Sequence, residues 1–205
     1  MILTHKIRDD YKNNKYVYLG IFLSALLFFF YFLFFKQSAI ADFLLSSIFF
    51  VISYYYYKIK HNISTVAFLF LLIAIIVNLL GATGLYAYFA VGIIGYDKLV
   101  HLISSFAVGY ALLQISTEKK MFIRYSFIIL VVIGLGALVE INEFIGTAYF
   151  GINNGGIFTI GDGLSLIRSD LQKYDTYYDM ITNLLGASLA VFFVILRKWF
   201  KKKYI

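Results

Sequence analysis

The chain has no cysteine and no proline, a single tryptophan, and only 14% charged residues over its 205 positions. Without cysteine there are no disulfides and no thiolate ligands, so a metal site has to be built from His, Asp, Glu or Asn. Without proline, no apolar stretch carries the commonest cause of a sharp helix kink. An ordinary soluble domain is about one quarter charged, and a water-soluble fold could not hide a sequence that is 61% hydrophobic.

What is abundant is apolar and aromatic: 22 phenylalanines, 18 tyrosines and a mean hydropathy of +0.83. A bilayer core about 30 Å thick takes about 20 apolar helical residues. Six stretches approach that length, at roughly 16–35, 40–57, 65–88, 98–116, 122–145 and 177–197. The expectation is an all-α integral membrane protein, one domain over residues 1–205, built as a bundle of six transmembrane helices. The first stretch follows Lys6, Arg8, Lys12 and Lys15 and precedes Ala39-Ile40-Ala41, a pattern that mimics a cleavable signal. Its apolar run is too long for one, so an anchor is expected.

The net charge of +7 would point to nucleic acid in a soluble protein. Here the basic residues flank apolar stretches, so membrane lipid is the expected partner and nucleic acid is not. Basic residues gather in the N-terminal tail, at Lys58 and Lys60, at Lys119, Lys120 and Arg124, and from Arg197 to Lys203. The alternate segments hold only Lys36, Lys98, Arg168 and Lys173. By the positive-inside rule, this predicts a multi-pass plasma-membrane protein with both termini cytoplasmic and segments 36–40, 89–97 and 146–176 outside. Eight of the eleven acids then fall at or near the outer face: Asp42, Asp97, Glu140, Glu143, Asp162, Asp170, Asp175 and Asp179. The rule counts only positive charge, so this asymmetry needs a separate cause.

Helical spacing organises the acids. Asp97, His101, Ser105 and Gly109 recur every four residues; so do Asp175, Asp179 and Asn183, with Gly186, Ala187 and Ala190 continuing that face. Glu140 and Glu143 are a turn apart, with Gly136 a turn below. Small residues let membrane helices approach, and intramembrane charges usually face a bundle interior or wet cavity, so the three faces are expected to meet. At 1.5 Å per residue, His101 is about 27 Å from Lys119, Glu140 about 24 Å from Arg124, and Asp179 about 28 Å from Lys198, a common depth. Carboxylates, an imidazole and an amide at one level suit a divalent metal ion or general acid–base chemistry. His101, Glu140, Asp175 and Asp179 are the candidate metal ligands, with Glu140 and Asp179 also candidate catalytic groups. Asp97, Glu143, Asn183 and Asn78 are candidate substrate or supporting groups.

Each has a plainer reading. Thr176-Tyr-Tyr-Asp179 fits a helix capping box, and Asp97 could cap its own helix. Asp175 could be an interfacial carboxylate. His101 and Asn78 could be polar contacts between helices. The glycine-rich segment after Gly151 could be a lid or an ordinary connection, and matches no phosphate- or calcium-loop pattern.

Asp97-Lys-Leu-Val-His101, Glu140-Ile-Asn-Glu143 and Asp175-Thr-Tyr-Tyr-Asp179-Met-Ile-Thr-Asn183-Leu-Leu-Gly186-Ala187 resemble the YjdF-type membrane proteins, which are similar to the broader VanZ-like group. The resemblance covers roughly residues 95–190, and the last segment is its most specific part. Where those families often carry tryptophans, this chain has Phe144, Tyr177 and Tyr178. The resemblance implies a shared polar core rather than a particular reaction. Three functions follow as expectations: a metal-dependent hydrolase or head-group transferase at the outer interface, an ion- or proton-coupled carrier, or a non-catalytic scaffold.

Overall fold

The computed structural model describes residues 40–60, 62–81, 85–86, 95–150 and 169–203, with Leu19, Phe22 and Leu26. These contain five α-helices and no strand: α1 (Ile40–Tyr54), α2 (Thr65–Leu80), α3 (Tyr96–Ile115), α4 (Met121–Phe150) and α5 (Ser169–Lys203). A π-helical turn, Tyr55–Ile59, ends the first helix. The expected span at 16–35 lies outside the described residues except for those three side chains, as does 151–168 of the expected outer loop. Among the described residues three segments are long and apolar enough to cross a membrane: Tyr96–Ile115, Met121–Ile145 and Asp175–Phe200. Thr65–Leu80 is apolar but shorter.

Local chemistry sets the boundaries. Ser64 has extended backbone and accepts the Ala67 N–H at 3.3 Å, the side-chain cap that starts α2. Gly95 precedes α3 without any side-chain cap bond, which places Asp97 inside the first turn and not at the cap that is its alternative reading. The helix α5 starts at Ser169, so Thr176 is two turns inside it and the expected capping box does not form. The last two helices run 30 and 35 residues, about 45 and 52 Å, and overshoot an apolar core of about 30 Å.

Consecutive helices alternate in direction. Aromatic contacts of Phe50, Tyr54 and Tyr57 with Phe68 join the end of α1 to the start of α2. Ser64 N–H donates to Gln114 Oε1 at 2.6 Å, and Tyr96 O–H donates to the Val77 carbonyl at 2.8 Å, tying α2 to α3 at both ends. The helices α3 and α5 run side by side in the same direction and make the closest pairing in the fold. Their contact rests on small residues. A Cβ on Gly109 would meet Ala190 Cβ at 3.3 Å, and one on Gly186 would collide with the Leu102 carbonyl and the Ser105 side chain. Backbones this close are what small residues permit between membrane helices.

Below the crossing, Phe70, Phe106, Tyr110 and Phe193 pack with ring centroids 5.0–6.3 Å apart, mostly edge to face. In contrast, Phe122, Phe127, Leu130, Leu138 and Phe144 of α4 project outward and are more than half exposed. An apolar exposed face of that extent is expected of a helix that faces lipid.

Candidate functional site

The starts of α3 and α5 and the far half of α4 meet at one end of the bundle, and their polar side chains form a single buried cluster. Asp179 is 0% exposed, Asn183 2%, Glu140 6% and Lys98 7%. Buried charge of this density persists only when paired, hydrogen-bonded or ligated.

Lys98 is the organising cation. Its Nζ lies 3.0 Å from Asp97 Oδ2 and 2.9 Å from Asp179 Oδ2, and it also donates to Asp175 Oδ1. Sequence reasoning counted Lys98 only as an orientation charge. The signal was present, because it sits between Asp97 and His101 on the opening turn of one helix. Asp175 is therefore engaged chiefly by a lysine.

His101 is held from behind. Its Nδ1 is 3.2 Å from Asn183 Oδ1, and that same oxygen accepts the Ser105 hydroxyl at 2.6 Å. An amide oxygen only accepts, so in this orientation His101 Nδ1 carries a proton, and Nε2 faces outward. Asn183 fits there because Gly136 has no side chain: a Cβ on Gly136 would overlap its amide.

Around Nε2 lie three carboxylate oxygens on three different backbone turns: Asp97 Oδ1 at 3.6 Å, Glu140 Oε1 at 3.7 Å and Asp179 Oδ1 at 3.8 Å. None is close enough for a hydrogen bond to the nitrogen. Glu140 Oε1 and Asp179 Oδ1 are buried and lack any hydrogen-bond partner. Asp179 Oδ1 does lie 2.9 Å from Lys98 Nζ, but off the direction a hydrogen bond requires. Thr176 lies beside the Glu140 carboxylate, because α5 is already helical at that residue.

The ligand atoms of Asp97, His101 and Asp179 all lie within 4.8 Å of one another, the geometry of a potential metal site. This group differs from the set expected from sequence. Asp97 is brought in from its supporting role, Glu140 reaches the same imidazole nitrogen, and Asp175 stands beside Lys98. Glu143, partly buried one turn beyond Glu140, is outside the converging group. Asn78 accepts the Tyr86 hydroxyl at 2.9 Å near the end of α2.

Fold and site together define an all-helical membrane protein with an acidic, histidine-bearing cluster at one end of three packed helices. The chain matches the family described as "Predicted membrane protein (DUF2238)" over residues 16–199, and it belongs to that family. No curated protein and no solved structure matches it.

Proposed function

We propose that the cluster holds one divalent metal ion and that the protein is a membrane enzyme acting on the head group of a lipid or lipid-linked substrate. The observation that carries this reading is the arrangement of three carboxylate oxygens, 3.6–3.8 Å from one imidazole nitrogen that faces them. Zinc-type ligand bonds of about 2.0–2.2 Å give tetrahedral edges of about 3.3–3.6 Å; the ligand atoms of Asp97, His101 and Asp179, within 4.8 Å of one another, draw inward to reach that size, and Glu140 moves further to join them. A single imidazole with carboxylates suits zinc or manganese better than calcium. Charge supports the same reading: Lys98 offsets one of the four carboxylates of Asp97, Glu140, Asp175 and Asp179, and a second cation would offset most of the remainder. The proton-bearing Nδ1 of His101 on Asn183 is the usual support for a metal-bound histidine.

The wider frame of the proposal is the six-span, termini-inside topology, with the cluster at the outer interface, and the similarity to YjdF-type and VanZ-like proteins. The reaction is hydrolysis or transfer of the head group. The test is metal analysis of purified protein, comparing the wild type with His101→Ala and Glu140→Ala. About one zinc or manganese per wild-type chain and its loss from His101→Ala is the expected result; metal-free wild-type protein after supplementation would overturn it.

A second reading rests on Lys98. A lysine shared by Asp97, Asp175 and Asp179 is an ion-pair network that a proton or cation could rearrange, as in a coupled carrier. Proton-driven uptake into liposomes that disappears with Glu140→Gln would favour it over the enzyme.

A further inference from the structure

The opposite end of the same bundle has a different chemistry. Between the start of α2, the ends of α3 and α5, and the first turn of α4 lies an open pocket of about 530 Å³. Its walls include Arg124, Arg197, Lys198 and Gln114, and no Asp or Glu lines it. Among the described residues no carboxylate pairs with any of these three cations.

The cations are positioned by neutral groups. Arg197 Nη1 donates to the Tyr110 hydroxyl at 2.8 Å, and that ring is fixed in the buried aromatic cluster. Arg124 Nη2 donates to the Leu113 carbonyl at the end of α3. Lys198 Nζ reaches the Tyr125 hydroxyl at 3.4 Å. Gln114 spends its oxygen on Ser64 N–H, which leaves its amide nitrogen free. That Nε2 and Arg124 Nε are both buried and have no hydrogen-bond partner.

Charges that merely orient a membrane protein extend into water, where solvent satisfies them. Here three cations line one pocket with no carboxylate among its lining residues, and two donors beside it, Gln114 Nε2 and Arg124 Nε, are buried without a partner, which is uncommon for buried polar atoms. What the cations lack is an acceptor with several oxygens and negative charge. Arginine's planar fork matches phosphate, and a lysine adds a point charge. The volume lies in the range of small-ligand sites and leaves room for the group that a phosphate is attached to.

We propose that this pocket is a binding site for a phosphate-bearing anion, held by Arg124, Arg197 and Lys198. The phosphate comes either from a soluble compound or from the head group of an anionic lipid that enters from the membrane. The site is separate from the acidic cluster, and its occupancy does not require a metal there.

Two arms separate the sources. In the first, full-length protein in neutral detergent is titrated with sodium pyrophosphate and binding is followed by calorimetry and by the midpoint of thermal unfolding. In the second, the protein is placed in phosphatidylcholine nanodiscs with and without phosphatidic acid, and lipid retained after extraction is measured by native mass spectrometry. Saturable binding in either arm is expected, weakened about tenfold or more by Arg124→Gln. Arg124→Gln also removes the bond to Leu113, so Lys198→Gln serves beside it, because this exposed side chain touches Tyr125 alone, through a long contact with its hydroxyl and a place 5.9 Å over its ring; a loss of about threefold to tenfold is expected there. His101→Ala should leave binding unchanged. Absence of binding in both arms, or equal binding by wild type and Lys198→Gln, overturns the proposal.

Discussion

The two ends of the α3–α4–α5 bundle are built from the same apolar helices and leave opposite atoms without partners. At the acidic end Glu140 Oε1 has no hydrogen-bond partner and Asp179 Oδ1 has only the off-axis charge of Lys98 at 2.9 Å, beside one unpaired donor, Asn183 Nδ2; at the other end the unpaired atoms are both donors, Gln114 Nε2 and Arg124 Nε. Acceptors in excess call for a cation, and donors in excess call for an anion. The ends differ also in how they manage charge. Lys98 is buried among carboxylates, so its charge is compensated inside the protein, whereas Arg197 and Lys198 lean on tyrosine hydroxyls and keep theirs uncompensated.

The largest expected effect comes from removing the compensated charge. In Lys98→Met the aliphatic stem survives but Asp97, Asp175 and Asp179 lose their shared cation, and a buried ion network stripped of one partner loses about 3–5 kcal/mol. Arg197→Met removes one bond from a more exposed group and should cost about 1 kcal/mol. Unfolding of both variants in the same detergent measures the difference; equal losses would break the contrast between a compensated and an uncompensated end.

Next in size is the crossing that holds the acidic end together. Gly186→Leu drives a side chain into the Leu102 carbonyl and Ser105, an overpacking cost of about 1–3 kcal/mol. Gly134, where an added Cβ would meet nothing within 4 Å, should accept alanine with no loss, or with a gain of up to about 1 kcal/mol from helix propensity. Thermal unfolding in detergent distinguishes the two glycines, and a Gly186→Leu protein as stable as the wild type would show that α3 and α5 do not need to touch there.

Much of this end was legible before the structure. The four-residue recurrence of Asp97, His101 and Ser105 and that of Asp175, Asp179 and Asn183 follow from helix geometry, and a rise of 1.5 Å per residue put His101, Glu140 and Asp179 at one depth. Depth does not give direction around the helix axis, which is why Asn78 could be placed at the right level and yet bond Tyr86. Lys98 escaped notice because a charge count treats lysine as an outward signal, while its long stem can fold back onto neighbouring acids. The Thr176 cap failed for another reason: the end of an apolar run marks where lipid stops, and α5 continues past it to Ser169. The basic pocket had no sequence motif at all, since Gln114, Arg124 and Arg197 converge only through tertiary packing.

The smallest effect is also the one that probes how the acidic end is tuned. Ser105 donates to Asn183 Oδ1 at 2.6 Å, and His101 Nδ1 shares that oxygen at 3.2 Å. Ser105→Ala removes a donor and leaves the acceptor still occupied by the imidazole, so no buried oxygen is abandoned and the stability loss should be about 0.5–1.5 kcal/mol. The hydroxyl does more than add a bond, because it holds the amide in the orientation that turns its oxygen to His101 Nδ1 and leaves Nε2 facing the carboxylates. If the cluster holds a metal, Ser105→Ala should weaken its affinity by about tenfold while the fold stays intact, the behaviour of a support one bond removed from a ligand. Competition against a chelator reads the affinity, and unfolding of the metal-free protein reads the stability. A variant that loses stability but keeps the wild-type metal affinity would make the Ser105–Asn183–His101 chain a helix-to-helix contact and nothing more.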